Sequence, residues 1–187
     1  YTIFKVMWYR ENEPDMYHKI YKILGTKDFI NFMMTGKIMT DYSYASGCGA
    51  YDLTNWDYYM KYIEAAGLRI DMFSDIVPST AVVGNLTEES SHALGLPTNV
   101  KVICGGVDNS CMALGAKNIK DGRVYTSLGS SAWIAVSSQK PIVDSKYKPF
   151  VFAHVIPGMF TSAVSIFSAG SSYKWVKNNI CSNLREE

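Results

Sequence analysis

Several things are scarce in this sequence, and each shortage narrows the reading. Only four cysteines occur in 187 residues, Cys48, Cys104, Cys111 and Cys181, and no two form a CxxC pair. That spacing argues against a zinc ribbon, and a chain this long does not need disulfides to stabilise a core. The four are expected as reduced thiols of a cytoplasmic protein. The three histidines, His18, His92 and His154, lie far apart in sequence, so they read as surface or packing residues rather than as a metal site. Charge of one sign is also missing. Lys plus Arg total 18 and Asp plus Glu 17, for a net charge of +1. No basic run is present to recruit nucleic acid or an anionic membrane. No stretch approaches the roughly 20 apolar residues that span a bilayer. The opening YTIFKVMWYR has neither an initiator Met nor a basic n-region ahead of an apolar h-region, and it reads as folded interior. Both ends are therefore expected to belong to a longer protein. No Walker A loop, dinucleotide-type GxGxxG or nucleophile elbow GxSxG occurs.

What is present suits an α/β fold. Hydrophobic residues make up 48% of the chain, enough for one large domain or parts of two. Residues 12–25 read as a helix with Pro14 in its first turn and Gly25 at its end. Thr26 can cap a second helix that runs through Met34 and is closed by Gly36, followed by a short extended piece over 38–40. Thr54 and Asp57 have capping-box spacing, and Trp56, Tyr59, Met60, Ile63 and Ala66 share one face, predicting a helix closed by Gly67. Thr87 caps another helix over 88–94, with Gly95 as its stop. Beyond Pro97 the grammar changes. Residues 101–104, 123–127, 132–137, 150–156 and 160–166 are strand-like, with a short helix starting at Asp108 and a longer one over 168–180. A domain boundary is expected near residue 98, between a helix-rich part, 1–98, and a part with strands followed by a helix, 99–187.

Two segments could carry chemistry. In the first, a strand runs into Gly105-Gly106-Val107-Asp108-Asn109. A carboxylate at a helix start can act as a general base toward a substrate hydroxyl. It can equally be an ordinary N-cap, favoured by the positive helix end. In the second, Ser127-Leu128-Gly129-Ser130-Ser131 lies between two strands. Such a small-residue turn can aim backbone N–H groups and hydroxyls at a phosphate, or it can be a plain hairpin turn. Asp41 has the spacing for a local turn with Ser43. Aromatic residues make up 13%; Trp8, Trp56, Trp133 and Trp175 are expected mostly in the core, although sugar sites often stack one aromatic face.

Taken in order, these segments resemble the FGGY carbohydrate kinases, most closely the xylulokinase-like branch. Lys5-Val6-Met7-Trp8 with Glu11-Asn12-Glu13-Pro14 is similar to that family's K-x-x-W…E-x-P segment, with Tyr9 where an aliphatic residue is commoner. Thr26-Lys27-Asp28-Phe29-Ile30, Thr35-Gly36 and the T-D-x-S-x-A-S stretch from Thr40 to Ser46 follow. Val77-Pro78, Gly84-Asn85-Leu86-Thr87, Leu94-Gly95-Leu96 and the G-G-x-D-N segment at Gly105–Asn109 continue the order. The turn at 127–131, His154, Pro157-Gly158, Gly170 and Trp175 complete it. The resemblance covers nearly the whole chain, and shared order and spacing carry it.

The resemblance implies an actin-like fold of two RNase H-like domains, of which this chain would hold the later part of the first and the opening of the second. It implies ATP-dependent phosphorylation of a sugar hydroxyl, with D-xylulose as the leading substrate, glycerol or gluconate as alternatives, and a non-catalytic sugar-binding relative as another. Asp108 would be the base and Asn109 would lie by the substrate. Ser127, Gly129, Ser130 and Ser131 would approach the ATP phosphates. ATP and Mg²⁺ are the implied cofactors, no protein ligand to a metal is assigned, and a homodimer is left open. One departure is Leu128, where the family's loop keeps a hydroxyl. The strand–DxGTS–strand hairpin that opens the family and its adenosine-binding glycine segment are not in this sequence, so the chain alone is expected to be inactive.

Overall fold

The computed structural model describes residues 1–181. They form two compact units. The first is Tyr1–Cys111 together with Phe152–Gly158, and the second is Met112–Val151 together with the described residues from Met159 onward. The division falls at Cys111/Met112, whereas the change in sequence grammar lies near residue 98.

The first unit opens with α1 (Thr2–Asn12) and α2 (Pro14–Lys19). The predicted helix over 12–25 is therefore shorter. Pro14 does open a helix, but the chain turns extended at Ile20, and the Ile23 N–H donates to the Met72 carbonyl at 2.7 Å. That tertiary hydrogen bond outcompetes a further helical turn. Gly25, predicted as a stop, instead precedes α3 (Thr26–Thr35), which Gly36 closes in the left-handed conformation. Next come β1 (Met39–Asp41) and α4 (Tyr42–Ala45).

The helix predicted from Thr54 is replaced in its first half by a hairpin of β2 (Tyr51–Asp52) and β3 (Asp57–Tyr58). Asp52 accepts from the backbone N–H of Thr54 at 2.8 Å and of Asn55 at 3.2 Å, and from the Asn55 side chain at 2.8 Å. This Asx turn satisfies the groups that a capping box would have used. The helix α5 (Met60–Ala65) starts later and buries Ile63 as predicted. After a 3-10 turn at Ile70–Met72 come β4 (Asp75–Val77), parallel to β1, then β5 (Val82–Asn85), α6 (Glu88–Leu94) and β6 (Lys101–Ile103). Here the sequence reading holds closely. Thr87 accepts from Ser90 N–H as the cap of α6, Gly95 ends it, and β6 pairs antiparallel with β5. Ile3, Val6, Tyr17, Ile63, Met72 and Phe73 belong to one buried cluster.

Helix α7 (Asp108–Gly115) starts where predicted. In the second unit, β7 (Arg123–Leu128) and β8 (Ala132–Ser138) form a hairpin. With β9 (Phe150–Ala153) and β10 (Phe160–Ile166) the strand order is β7-β8-β10-β9. Ala135 and Ala163 share a register position and pack with Ala113 and Tyr125. These small side chains let α7 come close to the sheet. α8 (Gly170–Asn179) follows. None of the tryptophans is fully buried: Trp8 and Trp175 are exposed, Trp56 is half-buried, and Trp133 is half-buried and packs against the cluster of Ala113, Tyr125, Ala135 and Ala163. Their size makes complete burial uncommon.

Candidate active site

Helix α3 has the unusual feature that its buried side is polar. Asp28, Asn31 and Thr35 are buried, while Phe29, Ile30 and Met33 are exposed. The inward groups meet a charged network. Lys27 is ion-paired with Asp28 and, at 3.0 Å, with Asp41. Thr40 donates to Asp28 at 2.8 Å. Asp41 is fully buried and accepts from the Ser43 N–H at 3.0 Å, the Ser43 hydroxyl, the Tyr44 N–H at 3.3 Å and the Ser79 hydroxyl at 2.7 Å. The local turn expected for Asp41 is there, as the N-cap of α4, and it is one part of a larger arrangement. Burial pulls the Lys27 pKa down, but the hydrogen bond to Asp28 and the charge of Asp41 more than offset that and hold it above its ordinary value.

The network ends on the loop that leads to Asp108. The Cys104 carbonyl accepts from Asn31 at 2.8 Å and from Lys27 at 3.3 Å. The Gly105 N–H donates to the Ser79 carbonyl at 2.9 Å, and the Val107 N–H donates to the Ser43 hydroxyl at 2.9 Å. Gly105 has φ +75. At Gly106 a Cβ would lie 2.3 Å from Val155 Cγ1, so no other residue fits without displacement. Burial pushes the Cys104 thiol up to about 11, which keeps it protonated beside the ion pairs.

Asp108 itself is exposed. The first helical bond of α7 runs from Cys111 N–H to the Val107 carbonyl at 2.9 Å, so Asp108 sits inside the first turn rather than at the cap position. Its carboxylate accepts from the neighbouring Asn109 N–H at 2.8 Å and faces solvent. Asn109 is half-buried beside it. The same helix is fixed by Ser110, whose buried hydroxyl donates to the Ala153 carbonyl at 3.0 Å. His154 is buried and its Nδ1 accepts from the Ile156 N–H at 2.9 Å, a packing role of the kind expected for it.

The turn at 127–131 belongs to the second unit. Ser127 is half-buried at the end of β7, and Leu128, Gly129, Ser130 and Ser131 are exposed. The Gly129 N–H is taken by the Ser131 carbonyl at 2.8 Å. The Gly129 and Ser130 carbonyls accept from Gly170 at 3.1 Å and from Ala169 and Ser171 at 2.9 and 3.2 Å, at the start of α8. The turn is therefore docked on that helix terminus, with the Ser130 and Ser131 side chains outward. Among the described residues, no three His, Cys, Asp or Glu side chains come together to hold a metal ion.

Comparison with known proteins decides the family. Residues 1–115 match the FGGY family of carbohydrate kinases, N-terminal domain. The chain belongs to the FGGY family. It is 31% identical over 183 residues to the xylulose kinase of Bacillus subtilis (strain 168), covering 98% of this chain and 37% of that protein. It is 28% identical over 178 residues to the autoinducer-2 kinase of Photorhabdus laumondii, covering 95% of this chain and 33% of that one. The crystal structure of xylulose kinase from Rhodospirillum rubrum superposes with a TM-score of 0.90 at 25% identity, over 99% of this chain and 38% of that one. The FGGY chain thus has the α/β, actin-like fold of the carbohydrate kinases in part, as the resemblance implied, and spans about a third of the length of these relatives.

The sequence singles out Asp108, Asn109 and the turn as candidates. That reading missed the buried network behind Asp108. The available signal was the polar set Asp28, Asn31 and Thr35, spaced three and four residues apart on one helix.

Proposed function

We propose that this chain is part of an ATP-dependent carbohydrate kinase and that Asp108 is its general base. The observation that carries the reading is the placement of Asp108: an exposed carboxylate on the first turn of α7, behind a glycine pair of which Gly106 admits no Cβ. The base takes the proton of the attacking sugar hydroxyl as that oxygen attacks the γ-phosphorus and ADP departs. Such transfer is governed mainly by positioning and by stabilisation of charge on the phosphoryl oxygens. Asn109, next in sequence, contacts the sugar. The exposed hydroxyls of Ser130 and Ser131, with Ser127 and Gly129 in the same turn, approach the phosphates of ATP, whose Mg²⁺ supplies further charge neutralisation.

The substrate proposed first is a ketopentose, D-xylulose, because xylulose kinases are among the relatives. Other sugars or polyols, including glycerol, gluconate and the substrate of the autoinducer-2 kinase, are the competing substrates within this reading. The enzyme would work in the cytoplasm, as a monomer or homodimer, without nucleic acid or membrane partners. A non-catalytic sugar-binding role is favoured by one observation: Leu128 is 79% exposed and puts an apolar side chain on the proposed phosphate turn.

The test is sugar-dependent ADP release by the full-length protein with D-xylulose, glycerol and gluconate, beside Asp108→Asn. Loss of general base catalysis costs about 10²–10⁴-fold, and a variant that keeps full activity would remove Asp108 from the mechanism. Failure of every sugar to stimulate release would favour the sugar-binding role.

A further inference from the structure

We infer that Ser43 is a positioning residue for Asp108, with Asp41 and Lys27 holding Ser43 in the orientation this requires; the inference rests on the reading of Asp108 as the base. A serine hydroxyl has one proton and two lone pairs. The Ser43 proton is committed to Asp41, which also accepts the Ser43 N–H. The hydroxyl oxygen must then face the Val107 N–H as an acceptor, and it does so at 2.9 Å. Val107 immediately precedes Asp108, and its carbonyl receives the first helical bond of α7. The backbone from which the Asp108 carboxylate leaves is therefore held, directly before that residue, by a hydrogen bond to a side chain on a different element.

Lys27 pairs with Asp41 at 3.0 Å and so braces the carboxylate that accepts the Ser43 hydroxyl. The same ammonium reaches the Cys104 carbonyl at 3.3 Å, so Lys27 grips the start of the loop and orders its end through Asp41 and Ser43. A loop held at both ends has little freedom left. A misplacement of about 1 Å at a reacting group can cost on the order of 10²-fold in rate.

The experiment uses the full-length protein and compares Ser43→Ala, Asp108→Asn, the double variant and Ser137→Ala. Ser137 is a buried hydroxyl of β8 that donates to the Asn118 carbonyl at 2.7 Å, outside the network, so its variant reports the general effect of losing a buried hydroxyl. Ser43→Ala should lower kcat by about ten- to a hundredfold while the sugar KM changes far less. In the Asp108→Asn background it should cause no further loss, because a residue acting through the base has nothing left to act on. Ser137→Ala should keep kcat. Wild-type kcat in Ser43→Ala, or a loss that multiplies with that of Asp108→Asn, overturns the positioning role and leaves the base assignment standing. A fully active Asp108→Asn overturns both. If Ser43→Ala does not fold, Ser43→Cys carries the same comparison, since sulfur fills the space but is a weak acceptor.

Discussion

The Val107 amide donates to the Ser43 hydroxyl across 64 residues of sequence, and this bond joins the first turn of α4 to the loop before α7. Ser43 follows β1, Val107 follows β6, and neither strand pairs with the other. The two elements are connected instead through side chains, with Asp41 and Lys27 behind Ser43. Asp108 is exposed, yet the backbone on either side of it is tied down, by the Val107 bond to Ser43 and by the Ser110 bond to the Ala153 carbonyl.

The glycine pair allows that constraint to be tested on stability. A methyl group at Gly106 would sit 2.3 Å from Val155 Cγ1, 3.2 Å from Ser43 Oγ and 3.3 Å from Cys111 Sγ. Gly106→Ala should therefore cost about 1–3 kcal/mol as an overpacked site. Gly105→Ala has nothing within 4 Å of the added atom and meets only the strain of φ +75, about 1–2 kcal/mol. Urea unfolding of both variants checks the order. If Gly105→Ala is clearly the worse of the two, the loop is not packed as described.

Asp41→Ala should be the most destabilising single change in the network. It leaves Lys27 with Asp28 as its remaining carboxylate and leaves the hydroxyls of Ser43 and Ser79 without their acceptor. Removing one partner of a buried ion pair costs about 3–5 kcal/mol. The lower end is expected, because the Lys27 side chain keeps 21% of its exposure and can draw on water. Denaturant midpoints measure this, and a loss below about 1 kcal/mol, the level of a surface ion pair, would show that the pair is solvated.

Much of this architecture could be read from local signals. Thr87 and Gly95 bracket α6, Gly36 closes α3, and the alternating segments of the second unit became β7, β8 and β10, because in each case the deciding atoms lie within a few residues of one another. The misses have a common origin in atoms far away or in competing local bonds. The Met72 carbonyl draws Ile23 out of a helix, and Asp52 converts Thr54 from a cap into a turn residue. The start of α7 at Asp108 was legible because glycines and a carboxylate mark it directly. The network behind it was not, since the rule that apolar faces point inward assigns α3 the opposite orientation. Phe29, Ile30 and Met33 are the exposed ones.

The second unit carries its own test at Gly170. A Cβ there would meet the Gly129 carbonyl oxygen at 2.2 Å, and backbone cannot move aside as a flexible side chain can. Gly170→Ala should push the 127–131 turn off the start of α8. If that turn contacts ATP, the KM for ATP rises several-fold while the KM for sugar stays near its original value. An unchanged KM for ATP in a variant shown to have a displaced turn would argue that residues 127–131 only close a hairpin.

Alkaline pH should destabilise the chain through groups that hold their protons more tightly when folded. Burial raises the Cys104 thiol from 9.0 to about 11, and the Asp28 and Asp41 partners hold Lys27 above 10.5 despite its burial. Burial also raises Cys48, Tyr44, Tyr51 and Tyr58. For each, the unfolded chain loses its proton at lower pH than the folded chain does. The unfolded state then binds fewer protons, so stability falls as pH rises through the interval between the two pKa values. For Cys104 the interval runs from 9.0 to about 11. Such a shift corresponds to about 2–3 kcal/mol at most. Lys27 adds its part only above 10.5, when the ammonium that pairs with Asp28 and Asp41 is lost. Urea midpoints at neutral pH, at about pH 9 and at about pH 11 should therefore show most of the loss in the upper interval. Cys104→Ala removes one titrating group and should flatten that part of the profile. An identical slope in the variant would mean that the Cys104 thiol ionises as readily in the folded chain as in the unfolded one.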